Sequence, residues 1–118
     1  MNSESSARII MPIFANKYRN QPTWRIGRRF ASQHEADCAM QLTALEQAGK
    51  ISDLRFQIPV PILGPAPGYK QQLRYVADFA FLRDGRRVYA DAKGFHTPVY
   101  KLKKRLLAQL HNIHIEEL

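Results

Sequence analysis

Cysteine is almost absent from this 118-residue chain, where Cys38 stands alone. One thiol closes no internal disulfide and builds no cysteine-rich zinc site, and it points to a reducing compartment, the cytoplasm. Long apolar runs are missing as well. The run near the start, Ile9-Ile10-Met11-Pro12-Ile13-Phe14-Ala15, is seven residues long and broken by proline. No small-residue cleavage pattern follows it, so no signal peptide is expected. Nothing approaches the ~20 apolar residues of a membrane span, and no membrane partner is expected. Acidic residues are scarce, with 10 Asp and Glu against 18 Lys and Arg, for a net charge of +8.

What remains is ordinary for a folded domain. Hydrophobic residues make up 45% and charged residues 24%, which excludes a disordered or collagen-like chain. A chain of this length buries roughly two-thirds of its unfolded surface, enough for one core. The positive charge is unevenly spread. Residues 1–34 carry six basic groups and one acidic; residues 35–68 carry two and four; residues 69–118 carry ten and five. Two basic blocks around an acidic middle suggest a basic face, for which nucleic acid is the commonest partner. The alternative is that the charge serves solubility alone.

Residues 1–15 read as a flexible N-terminal arm, and residues 16–118 as a single domain. Trp24 to Phe30 suggests one short strand. Ser32-Gln33-His34-Glu35 fits a capping box, with Ser32 as N-cap and Glu35 three residues on. The helix it opens runs to about Ala48, with Ala36, Ala39, Met40 and Thr43 near one face, and Gly49 stops it. Leu54, Phe56, Ile58 and Val60 alternate with Arg55, Gln57 and Pro59 as a strand whose prolines suit an edge. Leu73 to Leu82 is a second strand. Asp84-Gly85 is a strong hairpin signal, and the chain returns through Arg87 to Lys93, where Gly94 breaks it. Thr97-Pro98 opens a second helix with Val99, Leu102, Leu106 and Leu110 as its apolar stripe. Ile113 to Glu116 reads as a short last strand. The order of elements gives a mixed α/β layer fold with a central β-hairpin flanked by helices.

The hairpin carries the chemistry. With Asp84-Gly85 as a two-residue turn, Asp78 faces Asp91, and Lys93 lies diagonal to Asp78 on the same face. Two carboxylates ~5 Å apart repel by about 3 kcal/mol at an effective dielectric of ~20. A divalent cation removes that repulsion, and hard oxygen ligands suit Mg²⁺ or Mn²⁺. Lys93 would orient water or stabilise charge growing on a phosphate. The plainer alternative is a surface ion pair between Lys93 and one aspartate.

Asp78 followed after twelve residues by Asp91-Ala92-Lys93 resembles the signature of the PD-(D/E)XK nuclease superfamily. Phe30-Ala31-Ser32-Gln33-His34-Glu35-Ala36, Gly49-Lys50-Ile51-Ser52-Asp53-Leu54, Phe56-Gln57, Asp78-Phe79 and Asp91-Ala92-Lys93-Gly94-Phe95-His96-Thr97-Pro98 together resemble a phage-encoded family of unknown function. That family is assigned to the superfamily and compared with Holliday-junction resolvases. The resemblance covers roughly residues 16–118. It implies a restriction-endonuclease-like core and a Mg²⁺-dependent endonuclease acting on branched or duplex DNA, in phage or prophage recombination, repair or packaging within the host cytoplasm. It further implies Asp78, Asp91, the backbone carbonyl of Ala92 and Glu35 as metal ligands. Lys93 would position the water, Gln57 would be auxiliary, and a homodimer would cut two strands. Two departures are visible. Ala77 stands where the signature has Pro, and Asp91 where Glu is frequent.

Candidate DNA contacts are Lys17, Arg19, Arg28 and Arg29 in the first basic block, and Lys101, Lys103, Lys104 and Arg105 on the second helix. His96 and Thr97 sit at that helix's N-terminus, which favours anions; Thr97 also serves as N-cap, and a basic helix face also serves solvation. The rival expectation is a non-catalytic DNA-binding module of the same fold.

Overall fold

The computed structural model describes residues 23–118 apart from Ile26 and Gly94. The expected arm (residues 1–15), Lys17, Arg19 and the break at Gly94 therefore lie outside the described residues. The elements are β1 (Thr23–Arg25), β2 (Arg28–Phe30), α1 (Gln33–Gln47), β3 (Ser52–Leu63), β4 (Leu73–Arg83), β5 (Arg86–Asp91), α2 (Pro98–His111) and β6 (Glu116–Glu117). The fold is α/β, with a mixed four-stranded sheet in the order β3-β4-β5-β6. β5 and β6 run parallel, joined through α2, and the other pairs are antiparallel.

The segment expected as one strand is a hairpin of two, with Arg25 opposite Arg28 and Trp24 opposite Arg29. Gly27, at φ +72, reverses the chain there. That conformation is easy for glycine and poor for other residues, so seven residues that alternate like one strand fold back on themselves.

Both helices start as their caps dictate. Ser32 Oγ accepts from the Glu35 N–H at 3.1 Å, and Thr97 Oγ1 accepts from the Tyr100 N–H at 3.0 Å, each supplying an acceptor to a first-turn donor. At the end of α1 the Lys50 N–H reaches the Leu45 carbonyl at 2.9 Å and the Gly49 N–H reaches that of Glu46 at 3.0 Å, the paired closure of a Schellman motif. The β4–β5 turn places Asp84 at φ +54 and Gly85 at φ +77, and Arg83 pairs with Arg86, Phe81 with Val88 and Phe79 with Ala90. This is the register the two-residue turn predicts. β5 stops at Asp91, two residues short of the expected Lys93.

Two apolar clusters meet along β4. In one, Ala36, Cys38, Ala39 and Leu42 of α1 pack on Phe79, Phe81, Ala90 and Ala92, with Phe30 and Ile51. Phe30, Phe56 and Phe79 stack edge to face at 6.0 and 5.8 Å. Small side chains on α1 let its first turn approach the sheet closely. In the other, Tyr100 and Leu107 of α2 pack with Val60, Ile62, Tyr75, Ala77 and Ile115. From Ala77 to Phe81 every residue of β4 is buried, so this half of the strand is covered on both faces and its polar-apolar alternation stops.

The stripe expected to bury α2 is not the one that does. Val99, Leu102 and Leu110 are 61%, 57% and 52% exposed, and Leu106 is only partly buried. Tyr100 and Leu107, two turns apart, make the contact instead. The rotation of the helix is set by its ends. The Tyr100 hydroxyl donates to Glu117 at 2.7 Å, and His111 Nε2 hydrogen-bonds the Ile62 carbonyl at 2.8 Å.

Candidate active site

Three carboxylates that sequence reasoning singled out come together where the β4–β5 ladder ends. Glu35 and Asp78 are nearly fully buried and Asp91 completely so. Their positions follow from the elements that carry them. Glu35 is fixed in the first turn of α1 by the cap, Asp78 lies on the central strand, and Asp91 closes β5. The last regular pair of the hairpin is Phe79 with Ala90. One step beyond, side chains take over from the backbone. The Asp78 N–H donates to Asp91 Oδ1 at 2.8 Å, and the Ala92 N–H donates to Asp78 Oδ2 at 3.0 Å. This exchange ends β5 at Asp91, because the next amide is turned to a carboxylate.

Gln57 joins the set from β3. Its Nε2 donates to Glu35 Oε2 at 3.0 Å and to Asp78 Oδ1 at 3.5 Å. Sequence reasoning named Gln57, but not its backbone. Gln57 sits at φ +54 in the middle of a strand, while Phe56 and Ile58 keep ordinary pairing with Phe79 and Ala77. A left-handed residue costs about 1 kcal/mol, and such conformations concentrate at functional sites. No pattern of residue types signals it.

The electrostatics follow from burial. Desolvation, reinforced by the nearby charge of Asp78, raises the Glu35 carboxyl above its ordinary value; Lys93 and the backbone N–H of Ala31 oppose the shift. Burial likewise raises Asp91 against the Asp78 N–H and Lys93. Lys93, half-buried, is thus close enough to act on both carboxylates.

Asp91 Oδ2 is buried and has no hydrogen-bond partner among the described residues, although a buried carboxylate oxygen left unpaired is costly. A cation would satisfy it. Among the described residues no three His, Cys, Asp or Glu side chains converge as a metal-holding group. Glu35 and Asp78 each turn an oxygen to Gln57, and both aspartates accept from backbone N–H. The three carboxylates are thus linked through Gln57 and backbone N–H groups, not arranged as a ready cation cage, and Asp91 Oδ2 is the oxygen left over for a cation.

The basic candidates are dispersed. Lys101 and Arg105 are exposed and Lys103 is half-buried on α2, while Arg29 is exposed on β2; Arg28 pairs with Arg25 in the first hairpin. Lys104 and His96 both turn to Glu117, at 2.8 and 3.4 Å, and Thr97 caps α2. Cys38 is buried with its thiol pushed up to about 11 by desolvation, which makes it a packing residue. Among the described residues no helix is long and apolar enough to cross a membrane.

Fold and site together define a small α/β protein with buried carboxylates and a lysine at the end of a hairpin. The chain belongs to the family described as "Protein of unknown function (DUF1064)", whose family model matches residues 10–116. No curated protein and no solved structure matches it.

Proposed function

We propose that this protein is a divalent-cation-dependent endodeoxyribonuclease with a restriction-endonuclease-like core. Its substrate is DNA, branched DNA foremost, and its setting phage or prophage recombination, repair or packaging in the host cytoplasm. The observation that carries the reading is the linkage of three buried carboxylates at the end of one hairpin: Gln57 bridges Glu35 and Asp78, the Asp78 N–H donates to Asp91, and the charge of Lys93 acts on both Glu35 and Asp91. A bound Mg²⁺ or Mn²⁺ would supply Lewis acidity and a counter-charge to the phosphate. Asp78, Asp91 and the Ala92 carbonyl would hold it, with Glu35 as a further ligand. Lys93 holds the attacking water and offsets charge developing on the phosphate oxygens. Gln57 keeps Glu35 and Asp78 in one orientation. Burial keeps bulk water from the carboxylates. Lys101, Lys103, Arg105 and Arg29 are available to backbone phosphates. Cutting both strands needs two sites, so a homodimer belongs to the reading, and the exposed apolar residues of α2 leave surface for it.

The test is cleavage of an end-labelled four-way junction beside linear duplex and single strand, with Mg²⁺ or Mn²⁺. Wild type is expected to cut the junction fastest. Lys93→Ala is expected to be about a hundredfold slower, the loss of one preorganised charge at the reacting centre. Tight binding with no cutting by either protein would make the chain a binding module instead.

Gln57 separates positioning from folding. Gln57→Gly removes the left-handed strain and the amide together. Its melting temperature is expected to match or exceed wild type, while cleavage falls ten- to hundredfold, the usual range for residues that orient metal ligands. Circular dichroism melts and single-turnover rates on the same preparation check both halves.

A further inference from the structure

The far end of the β3–β4 hairpin has features that neither the core nor the carboxylate site uses. Residues 63–72 are all exposed, and Tyr69 is 74% exposed. Yet its backbone is held. Ala66 and Tyr69 exchange hydrogen bonds, the Ala66 N–H to the Tyr69 carbonyl at 2.9 Å and the Tyr69 N–H to the Ala66 carbonyl at 2.7 Å. Pro67 and Gly68 occupy the two central positions, Gly68 at φ +85, as a type II turn requires. A hydrogen-bonded turn thus presents a large ring to solvent, and its backbone needs little further ordering on binding. Gln71, Gln72 and Arg74, a few residues on, line a shallow open depression.

The charge around this ring has one sign. From Leu54 to Ala77 the chain contains no Asp or Glu, and Arg55, Lys70 and Arg74 are its charged residues. The end of the hairpin nearest Tyr69 carries Lys70 and Arg74, both exposed. An aromatic face flanked by cations and amides is the composition of a platform on which bases stack. Placement agrees. Leu73 and Asp78 are five residues apart on β4, roughly 17 Å at ~3.4 Å per residue. That is about five nucleotide steps of a duplex strand. DNA lying along the strand with a phosphate at the carboxylates would reach the hairpin tip.

We propose that the β3–β4 tip, residues 64–72, is a DNA-docking element that stacks Tyr69 on an unpaired base while Lys70 and Arg74 hold the adjoining phosphates. The inference rests on the nuclease reading in taking DNA as the partner, and it gives that site a preference for DNA with unpaired or distorted positions several nucleotides from the cut.

The test is fluorescence anisotropy in EDTA, so that cleavage does not intrude. The probes are a fluorescein-labelled duplex with a central three-base bulge and its fully paired counterpart. Wild type is expected to prefer the bulged duplex. Tyr69→Ala is expected to lose on the order of tenfold on the bulged probe and nothing on the paired one. Tyr69→Phe keeps the ring and should bind as wild type. The double variant Lys70→Ala/Arg74→Ala should weaken both probes and lessen the dependence of affinity on salt. All four proteins should melt together, since these side chains are exposed. Equal binding of both probes by wild type and Tyr69→Ala overturns the inference, and so does a wild type that binds neither. Tyr69-dependent binding without any cutting in Mg²⁺ overturns the nuclease reading and leaves the docking element standing. Cutting with Tyr69→Ala unaffected does the reverse.

Discussion

On the nuclease reading proposed above, Asp91→Asn is expected to slow DNA cleavage about a thousandfold and, in the absence of divalent cation, to melt higher than wild type. The two effects share one cause. Asn keeps an oxygen where Asp91 Oδ1 accepts the Asp78 N–H, so the join between β4 and β5 survives. It removes the negative charge on which cation binding would depend, and with it the main electrostatic contribution to the reaction. It also removes a fully buried charge whose second oxygen has no partner among the described residues, which relieves the folded state. The pH dependence has a definite sign. Asp91 and Glu35 are both raised, by burial first, so the native state holds their protons more tightly than the unfolded chain does. Stability contributed by these groups is present at acid pH and is lost as pH climbs from the ordinary carboxylate range through their raised values. Melts in EDTA at pH 4.5 and 7.5 should show a smaller fall for Asp91→Asn than for wild type. Adding Mn²⁺ at the higher pH should raise the wild-type midpoint and leave the variant unmoved. A variant that cuts like wild type would remove Asp91 from the chemistry.

Leu107→Ala is expected to cost about 3 kcal/mol in urea denaturation, the middle of the range for a buried leucine. Leu102→Ala should stay within about 0.5 kcal/mol of wild type. Leu107 is fully buried and Leu102 is more than half exposed. The same hydrophobic deletion five residues apart on one helix thus reads out which side faces the sheet. A large loss at Leu102 would mean that α2 is turned toward the stripe its sequence suggests.

That contrast marks where local chemistry stops being sufficient. The caps at Ser32 and Thr97, the stop at Gly49, the Asp84-Gly85 turn and the hairpin register were legible, because each is decided within a few residues. The gathering of Asp78 and Asp91 follows from the turn alone. The burial of α2 does not, since a tyrosine hydroxyl reaching Glu117 and a histidine reaching the Ile62 carbonyl are contacts across the fold. Trp24 to Phe30 alternates like a strand, and a turn with Gly27 at φ +72 splits it. The end of β5 is not legible for a related reason. Its ladder is replaced by side-chain oxygens, a choice the residue types permit without demanding. Glu35 was legible twice over, as the cap partner and by resemblance. The left-handed backbone of Gln57 was not, because no preference of glutamine favours it.

The spacing of the site along the chain also orders its assembly. Asp78 and Asp91 sit on strands joined by two residues, and hairpins of that kind close within ~1–10 µs. Glu35 arrives from a helix 43 positions before Asp78 in the sequence. In an early hairpin both aspartates are still wet and their repulsion is screened. Desolvation begins only when α1 settles on Phe79 and Phe81. The kinetic barrier raised by the carboxylates therefore belongs to helix docking rather than to strand pairing. An ion bound at the aspartates would offset part of that cost by binding the docked state.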